Sequence, residues 1–528
     1  MLQFYNIIAM HSNKPVILFE TEGSYPYSGG GISTWANILC GELEDEVDFI
    51  ILALTGDPYV EQKYALTPNI KSVIEVPLWG LEEPIQHFNR KIPFSEHVIR
   101  KLQTDGQTIR RIFLPMFRNF ISRIFDPFQP ARESAELIYG FWKYYQHYDY
   151  KQTLSSPLIW SEFKNLLREK MHHDDEFLQD EKAHLLDVTF GKRWLYHFMM
   201  PLAVPLPRTS ATHSTLAGFP AITSIAAKFE YGTPMILTDH GVFIRERLIN
   251  VSQADLSYFS KRLLVNLATF ITRAVYHCAD LVSPVTSINA KWEKRFEADV
   301  NSIRPIYNGV DTDHFCPRPK PAHTQNIPTV VAAAHVFPLK DIETMIRSCD
   351  LVRREIPNVQ YLLYGSLDID KPYTEKCRQL VTELDLENHF TFGGYHDNPS
   401  MLFNKGDISI LSSISEGFPY TVIESMSCGR PVVATDVGGV SEAIEGCGIV
   451  CKPRNANELA EGVIHLLSDK QFLELMAEEA RKKVLQNYTI PQSVNSYLDV
   501  YQNFHKQNQE PMLDAIKLES VNRMLESL

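Results

Sequence analysis

The sequence predicts an α/β protein made of two doubly wound halves, and three observations carry that expectation. Short apolar, β-branched runs alternate with amphipathic stretches, the alternation restarts after residue 310, and a segment rich in proline and turn residues, 307–328, separates the two series. Runs that are apolar throughout, rather than at every second position, predict strands buried on both faces and hence parallel sheets between helices.

In the first half the runs are PVILFE at 15–20, VDFIILAL at 47–54, PMILTDH at 234–240 and ADLVSPVT at 279–286. In the second they are TVVAAAHV at 329–336, VQYLLYGS at 359–366, HFTFGGY at 389–395, ISILSS at 408–413 and PVVATDV at 431–437, five strands for a second doubly wound unit. Residues 80–200 break the rhythm with an aromatic, charge-rich region of helical spacing that includes FWKYYQHYDY at 141–150 and RWLYHFMM at 193–200. It is predicted to be an insertion that buries its aromatics in a local core, and no chemistry is assigned to it. The expected divisions are residues 1–310 with the insertion, residues 311–490, and terminal helices over 491–528 that pack back on the first half. In the tail, Met512, Ile516, Leu518, Val521, Met524 and Leu525 fall at near-helical spacing, which suits packing on the body or on a partner.

Composition narrows the function. A chain of 528 residues exceeds one core, and 44% apolar with 22% charged residues suits a globular protein. The net charge of −13, without a sustained run of Lys and Arg, argues against nucleic acid as the main partner but leaves room for a small anion at a helix N-terminus. Eight scattered cysteines (Cys40, Cys278, Cys316, Cys349, Cys377, Cys428, Cys447, Cys451) form no Cys-x-x-Cys pair and predict reduced thiols, with neither structural metal nor resident cofactor. The N-terminus lacks a basic start and is interrupted by His11, Ser12, Asn13 and Lys14, a poor signal peptide. Residues 263–282 contain Arg273, His277 and Asp280, so they are expected as a buried helix running into a strand, not a membrane span. A cytoplasmic protein is expected.

The chemistry concentrates in SISEGFPYTVIESMSCGRPVVATDVGG, residues 413–439. Pro419 suits the first turn of a helix, Gly429 its end, and Pro431 opens the next strand. Glu416 then lies in the loop before that helix and Glu424 about one and a half turns inside it, so both carboxylates can face one ligand at different depths. Between them the amides near Phe418, Tyr420 and Thr421 carry positive partial charge suited to a diphosphate. The alternative is a solvated Glu416 and a helix-surface Glu424, since two glutamates at this spacing are common by chance; their setting after a strand, with a second glycine turn at Val437-Gly438-Gly439, favours the site.

This segment resembles the signature of the retaining glycosyltransferases of family four, which have the GT-B fold of two Rossmann-like domains facing a cleft. The resemblance extends through Asn308-Gly309-Val310-Asp311, Gly365-Ser366 after YLLY, and Gly393-Gly394-Tyr395 after HFTF, covering most of residues 300–505. It implies that Glu416 meets the hydroxyls of a donor sugar and Glu424 the nucleotide ribose, with Gly365, Ser366, Tyr395, Gly417, Phe418, Pro419, Tyr420 and Thr421 lining the donor site. It also implies that residues 1–310 are the acceptor-side domain and 311–490 the nucleotide-sugar domain.

The N-terminal FETEGSYPYSGGGISTW, with Gly29, Gly30 and Gly31 as a flexible turn between a strand and a helix, and TDHGVFIRER at 238–247 resemble more closely the subfamily of the Pel exopolysaccharide glycosyltransferase, including its long N-terminal insertion. From that resemblance His240, at the end of a strand, is placed beside the donor sugar. Arg245 and Arg247 are read either as contacts to acceptor or phosphate or as partners in surface salt bridges. One position departs from the family pattern. Lys340 of AAAHVFPLKD stands where a diphosphate-binding lysine is expected, but His335 replaces the expected arginine and offers no bidentate fork.

The resemblance thus implies transfer of a hexosyl or N-acetylhexosaminyl group from a UDP-linked sugar to a glycan acceptor, without a metal, in exopolysaccharide synthesis, with peripheral association to a membrane-embedded synthesis complex as a further expectation. Two alternatives stay open: a GT-B sugar-nucleotide epimerase, and a weakly catalytic nucleotide-sugar-binding subunit, which His335 and the amphipathic tail would suit.

Overall fold

The computed structural model describes residues 14–80, 93–173, 184–396 and 398–526, the side chains of 171–173 and 509–526 excepted. The N-terminal segment 1–13 and the apolar positions of the tail from 512 onward lie outside what is described, although the backbone of the tail is helical through Glu526.

Within these residues, 14–283, 291–304 and 497–526 make one compact unit, and 284–290 with 305–496 make another. The first holds six parallel strands: β1 (Val16–Glu22), β2 (Asp48–Thr55), β3 (Ile70–Pro77), β4 (Ala211–Ser214), β5 (Met235–Asp239) and β6 (Leu281–Pro284), in the order 3-2-1-4-5-6. The second holds β7 (Thr329–Ala333), β8 (Gln360–Tyr364), β9 (Phe390–Gly394), β10 (Ile408–Leu411), β11 (Val432–Thr435) and β12 (Ile449–Cys451), in the order 12-11-10-7-8-9. Numbered from its own first strand, the second sheet repeats the order of the first, which is that of a doubly wound nucleotide-binding sheet.

The apolar runs account for the central strands. Every residue of β2 is buried, and in β7 the side chains divide by parity: Val330 and Ala332 face a core with the helices Ile342–Glu355 and Ala456–Ser468, while Val331 faces one with the helix Tyr420–Ser427. Three strands escape the apolar pattern. β3 is a partly exposed edge, β12 has three residues, and β4 is Ala-Thr-His-Ser, polar yet fully buried beside β1.

The expected insertion is helical where described, with helices such as Leu114–Phe125, Ala131–Tyr145 and Pro157–His173. Many of its aromatics are buried, but not in a core of their own: Phe113, Phe117, Phe141, Tyr144 and Tyr145 belong to one continuous core with Val16, Leu18, Ile50 and Leu52 of the sheet, whereas Phe94, Phe128 and Phe190 are exposed. The segment near 263–282 is the helix Tyr258–Cys278 followed by β6. All eight cysteines are free, and among the described residues no helix is long and apolar enough to cross a membrane.

The unit boundaries differ from the expected hinge at 307–328. The chain already enters the second unit at 284–290, where Glu442 accepts from Thr286 Oγ1 at 2.5 Å and from the Ser287 amide at 3.0 Å. Residues 307–311 are no free linker either, since the Val310 amide donates to the Tyr488 carbonyl at 2.8 Å and Tyr307 Oη donates to Glu442. In place of separate terminal helices, one helix, Ile490–Glu526, begins in the second unit and belongs to the first from Tyr497.

Candidate functional site

In the second sheet β7 and β10 are neighbours whose crossovers run to opposite sides, toward β8 and β11, so the switch point of the topology lies at their carboxyl ends. Lys340 follows β7 and Glu416 follows β10. The two mostly buried side chains meet there, Lys340 Nζ donating to Glu416 Oε1 at 2.5 Å, and Ser413 Oγ donates to the same oxygen at 2.6 Å. Backbone contacts fix the corner: Ser412 Oγ donates to the Lys340 carbonyl at 2.8 Å, the Ile414 amide to the Leu339 carbonyl at 2.8 Å, and Thr435 Oγ1 to the Ser413 carbonyl at 2.6 Å.

The loop that carries Glu416 is clamped from the other side by the turn after β11. A Cβ at Gly438 would stand 2.1 Å from the Glu416 carbonyl oxygen and 2.7 Å from that of Gly417, and the residue has a φ of 55°. The Gly439 amide donates to the Gly417 carbonyl at 2.7 Å, and a Cβ there would meet Thr286 and the Phe418 ring. Only glycines permit this approach. Asn308 closes the loop, donating to the Phe418 carbonyl at 3.1 Å.

The helix Tyr420–Ser427 then starts one residue after Pro419, which stands before the helix instead of in its first turn, with an extended ψ of 127°. Its end follows the expectation for Gly429: φ is 65°, the Gly429 amide donates to the Met426 carbonyl and the Arg430 amide to the Ser425 carbonyl. The amides of Tyr420 and Thr421 stand at its N-terminal end, and that of Val422 donates to the Pro419 carbonyl at 3.2 Å. Glu424 is half-buried, loss of solvent pushes its carboxyl up to about 7, and its carboxyl oxygens take part in no hydrogen bond or ion pair among the described residues. Phe418 enters differently from the sequence expectation: its ring is buried against Tyr307 and Tyr488, so only its backbone can meet a ligand.

A second group gathers at the ends of β7, β8 and β9. The Ser366 amide donates to His335 Nδ1 at 3.0 Å, the Gly365 amide to the Gly394 carbonyl at 2.9 Å, and a Cβ at Gly365 would lie 2.1 Å from the Ala334 carbonyl oxygen. Tyr395 follows, 72% exposed.

The remaining candidates belong to the first unit. Gly30 precedes the helix Gly31–Glu42, and a Cβ at Gly29 would meet Lys63 Nζ at 2.6 Å. His240 follows β5. It is half-buried, its ring lies 4.4 Å edge-on from that of Trp35, its Nε2 is sealed from solvent without a hydrogen-bond partner, and burial lowers its pKa to about 3, so it is neutral. Arg247 pairs with Glu22 at 2.8 Å and stacks on Phe243, whereas Arg245 lies near enough to draw the buried Asp239 carboxyl downward against the upward push of burial. Neither arginine decides between its two readings. Ser413 and Ser412, which hold Glu416 and Lys340, were not singled out from the sequence; the serines following β10 were the available signal.

With this geometry in view, comparison with known proteins assigns the chain. Residues 15–301, more than half of it, match the family described as Domain of unknown function (DUF3492), and residues 317–483 match Glycosyl transferases group 1. The chain belongs to the DUF3492 family, and its residues 317–483 match the group 1 glycosyl transferases. Among its relatives, trehalose synthase of Pyrococcus horikoshii is 30% identical over 244 residues, 43% of this chain and 56% of that protein. N-acetyl-alpha-D-glucosaminyl L-malate synthase of Bacillus anthracis is 29% identical over 165 residues, 31% of this chain and 42% of that one. The chain thus spans about half the length of the curated relatives it matches. Among solved structures, sucrose-phosphate synthase from Thermosynechococcus elongatus superposes with a TM-score of 0.57 at 15% identity, covering 94% of this chain and all of that one. Anabaena HepE in complex with UDP gives 0.55 at 15%, covering 93% of this chain and 100% of its own. At such identity the likeness is one of fold, and the fold is of the GT-B class, α/β with two Rossmann-like sheets.

Proposed function

We propose that this chain transfers a hexosyl or N-acetylhexosaminyl group from a UDP-linked sugar to a glycan acceptor, with retention at the anomeric carbon, in the synthesis of an exopolysaccharide. The observation that carries the reading is the Lys340–Glu416 pair at the switch point of the second sheet, one helix start away from a half-buried Glu424 without a partner. Support also comes from the group 1 glycosyl transferase match over these residues and from relatives named trehalose synthase and N-acetyl-alpha-D-glucosaminyl L-malate synthase.

In this account the diphosphate of the donor draws Lys340 from Glu416 and lies against the first-turn amides near Tyr420 and Thr421. Glu416, released from the lysine, accepts hydrogen bonds from the sugar hydroxyls. Glu424 accepts from the ribose hydroxyls, which satisfies a carboxylate that burial otherwise penalises. The bond from the anomeric carbon to the phosphate oxygen breaks as the acceptor oxygen bonds to that carbon on the same face, and the acceptor proton passes to the departing phosphate. Neither glutamate acts as a nucleophile, and no metal or other cofactor enters. His240 supplies a neutral imidazole to the reaction, and His335, held by the Ser366 amide, takes part of the place of the missing arginine.

The test is release of nucleoside diphosphate from a panel of UDP-, GDP- and ADP-sugars, with and without glycan acceptors. Acceptor-dependent release of UDP is the expected result. Release of UDP with a free altered sugar in the absence of acceptor would make the protein an epimerase. Calorimetric binding of nucleotide with no turnover for any acceptor would make it a binding subunit.

A further inference from the structure

Four polar side chains in the first unit are fully buried and bonded to one another. His213 of β4 bonds through Nδ1 to Tyr501 Oη at 2.6 Å and through Nε2 to Thr238 Oγ1 at 2.7 Å, and Thr238 Oγ1 bonds to Tyr497 Oη at 3.0 Å. The network ties β4 and β5 to the helix Ile490–Glu526, whose partners lie up to 288 positions away in sequence. Burial holds His213 neutral, its pKa lowered to about 3. A neutral histidine, a threonine and two tyrosines in a core are harder to accommodate than apolar side chains of the same size, and full satisfaction of their hydrogen bonds rigidifies the place they occupy.

That place is the floor under His240. Thr238 lies in β5, two residues before His240, which follows the end of the strand. The Trp35 ring joins the network to His240: it packs against His240 at 4.4 Å between ring centroids, against Tyr497 at 5.5 Å and against His213 at 5.6 Å, while His213 packs against Tyr497 at 5.4 Å. His240 itself has no hydrogen bond to its sealed Nε2, so its ring is located by this surface and by its backbone.

We infer that Thr238 and Tyr497 are positioning residues for His240, and that the carboxyl-terminal helix, through Tyr497 and Tyr501, sets where that imidazole stands. The inference rests on the reading of His240 as a participant in sugar transfer, but its structural half is independent of turnover. The helix is therefore a working part of the first unit's ligand edge in addition to a covering element. The network is absent from the sequence pattern because its members come from three distant segments.

The experiment compares full-length wild type with Thr238→Val, Thr238→Ser and Tyr497→Phe, each carrying labelled histidine. The His240 imidazole resonance, assigned with His240→Asn, is read beside kcat, KM for the donor and the melting temperature. Thr238→Val and Tyr497→Phe are expected to shift the His240 resonance and lower kcat about tenfold with KM for the donor little changed. Thr238→Ser, which keeps the hydroxyl, is expected to match wild type in both. An unmoved His240 resonance in Val and Phe variants that remain folded overturns the inference, and so does a Ser variant as impaired as the Val variant. If the wild type transfers no sugar, the functional proposal fails while the resonance still decides whether Thr238 and Tyr497 place His240. If a variant does not fold, the remaining one together with Tyr501→Phe, expected to shift the same resonance, gives the decision.

Discussion

Replacing Gly438 by alanine disturbs the geometry of the site without removing any of its polar groups. The new Cβ would stand 2.1 Å from the Glu416 carbonyl oxygen, whereas ordinary contact needs about 3.4 Å, so the loop must withdraw by roughly an ångström. Displacement of that size at a reacting centre costs about a hundredfold in kcat/KM, close to 2.7 kcal/mol in the transition state. The left-handed φ of 55° adds a separate folding cost of about 1–2 kcal/mol. Gly446→Ala isolates that second cost, because Gly446 has a φ of 78° and open space around its Cβ. Nucleoside diphosphate release and thermal melting on both variants make the assay. Both should melt lower than wild type, and only Gly438→Ala should lose most of its turnover. Turnover of Gly438→Ala within about threefold of Gly446→Ala would refute the claim that the glycine clamp places Glu416.

Other consequences follow from the charges. Glu424 has a folded-state pKa raised to about 7 by burial, so nucleotide binding through its ionised form should strengthen as pH rises from 5 to 8 and release protons below about pH 7; calorimetry in buffers of different ionisation heat measures this, and Glu424→Gln should abolish it. The fully buried Glu293 is also raised, by burial and by Asp239, so the native state holds a proton that the unfolded state loses above the usual carboxylate range, and stability falls with rising pH. Glu293→Gln should flatten that fall, read as melting temperature at pH 5 and pH 8. His335→Ala removes the acceptor of the Ser366 amide and should raise KM for the donor by about three- to tenfold, seen in initial-rate kinetics.

How far the molecule was legible in its sequence depended on whether the signal was local. Central strands such as β2 and β7 announced themselves because burial on both faces demands apolar runs. β4 did not, because Thr212, His213 and Ser214 are buried polar residues, and the partners of Thr212 and His213 come from elsewhere in the fold. At the site, the loop-and-helix punctuation from Glu416 to Gly429 could be read directly, including the helix end at Gly429. That Lys340 and Glu416 serve one donor site was implied only by the family resemblance, and their direct contact across 76 positions was not read from the sequence. The contact of Gly438 with the Glu416 carbonyl was not visible at all, since a glycine pair reports freedom of the backbone but not what approaches it. At the expected hinge, proline and turn residues mark irregular backbone but not its partners, and at 307–311 that backbone is bonded into the second unit.

The central claim is that Glu416, held by Lys340 and Ser413, binds the sugar that is transferred. The most direct measurement is donor turnover by purified Glu416→Ala beside wild type, with folding followed by melting temperature. The account predicts that acceptor-dependent release of UDP is lost while the variant stays folded; near-normal release from the folded variant would contradict it.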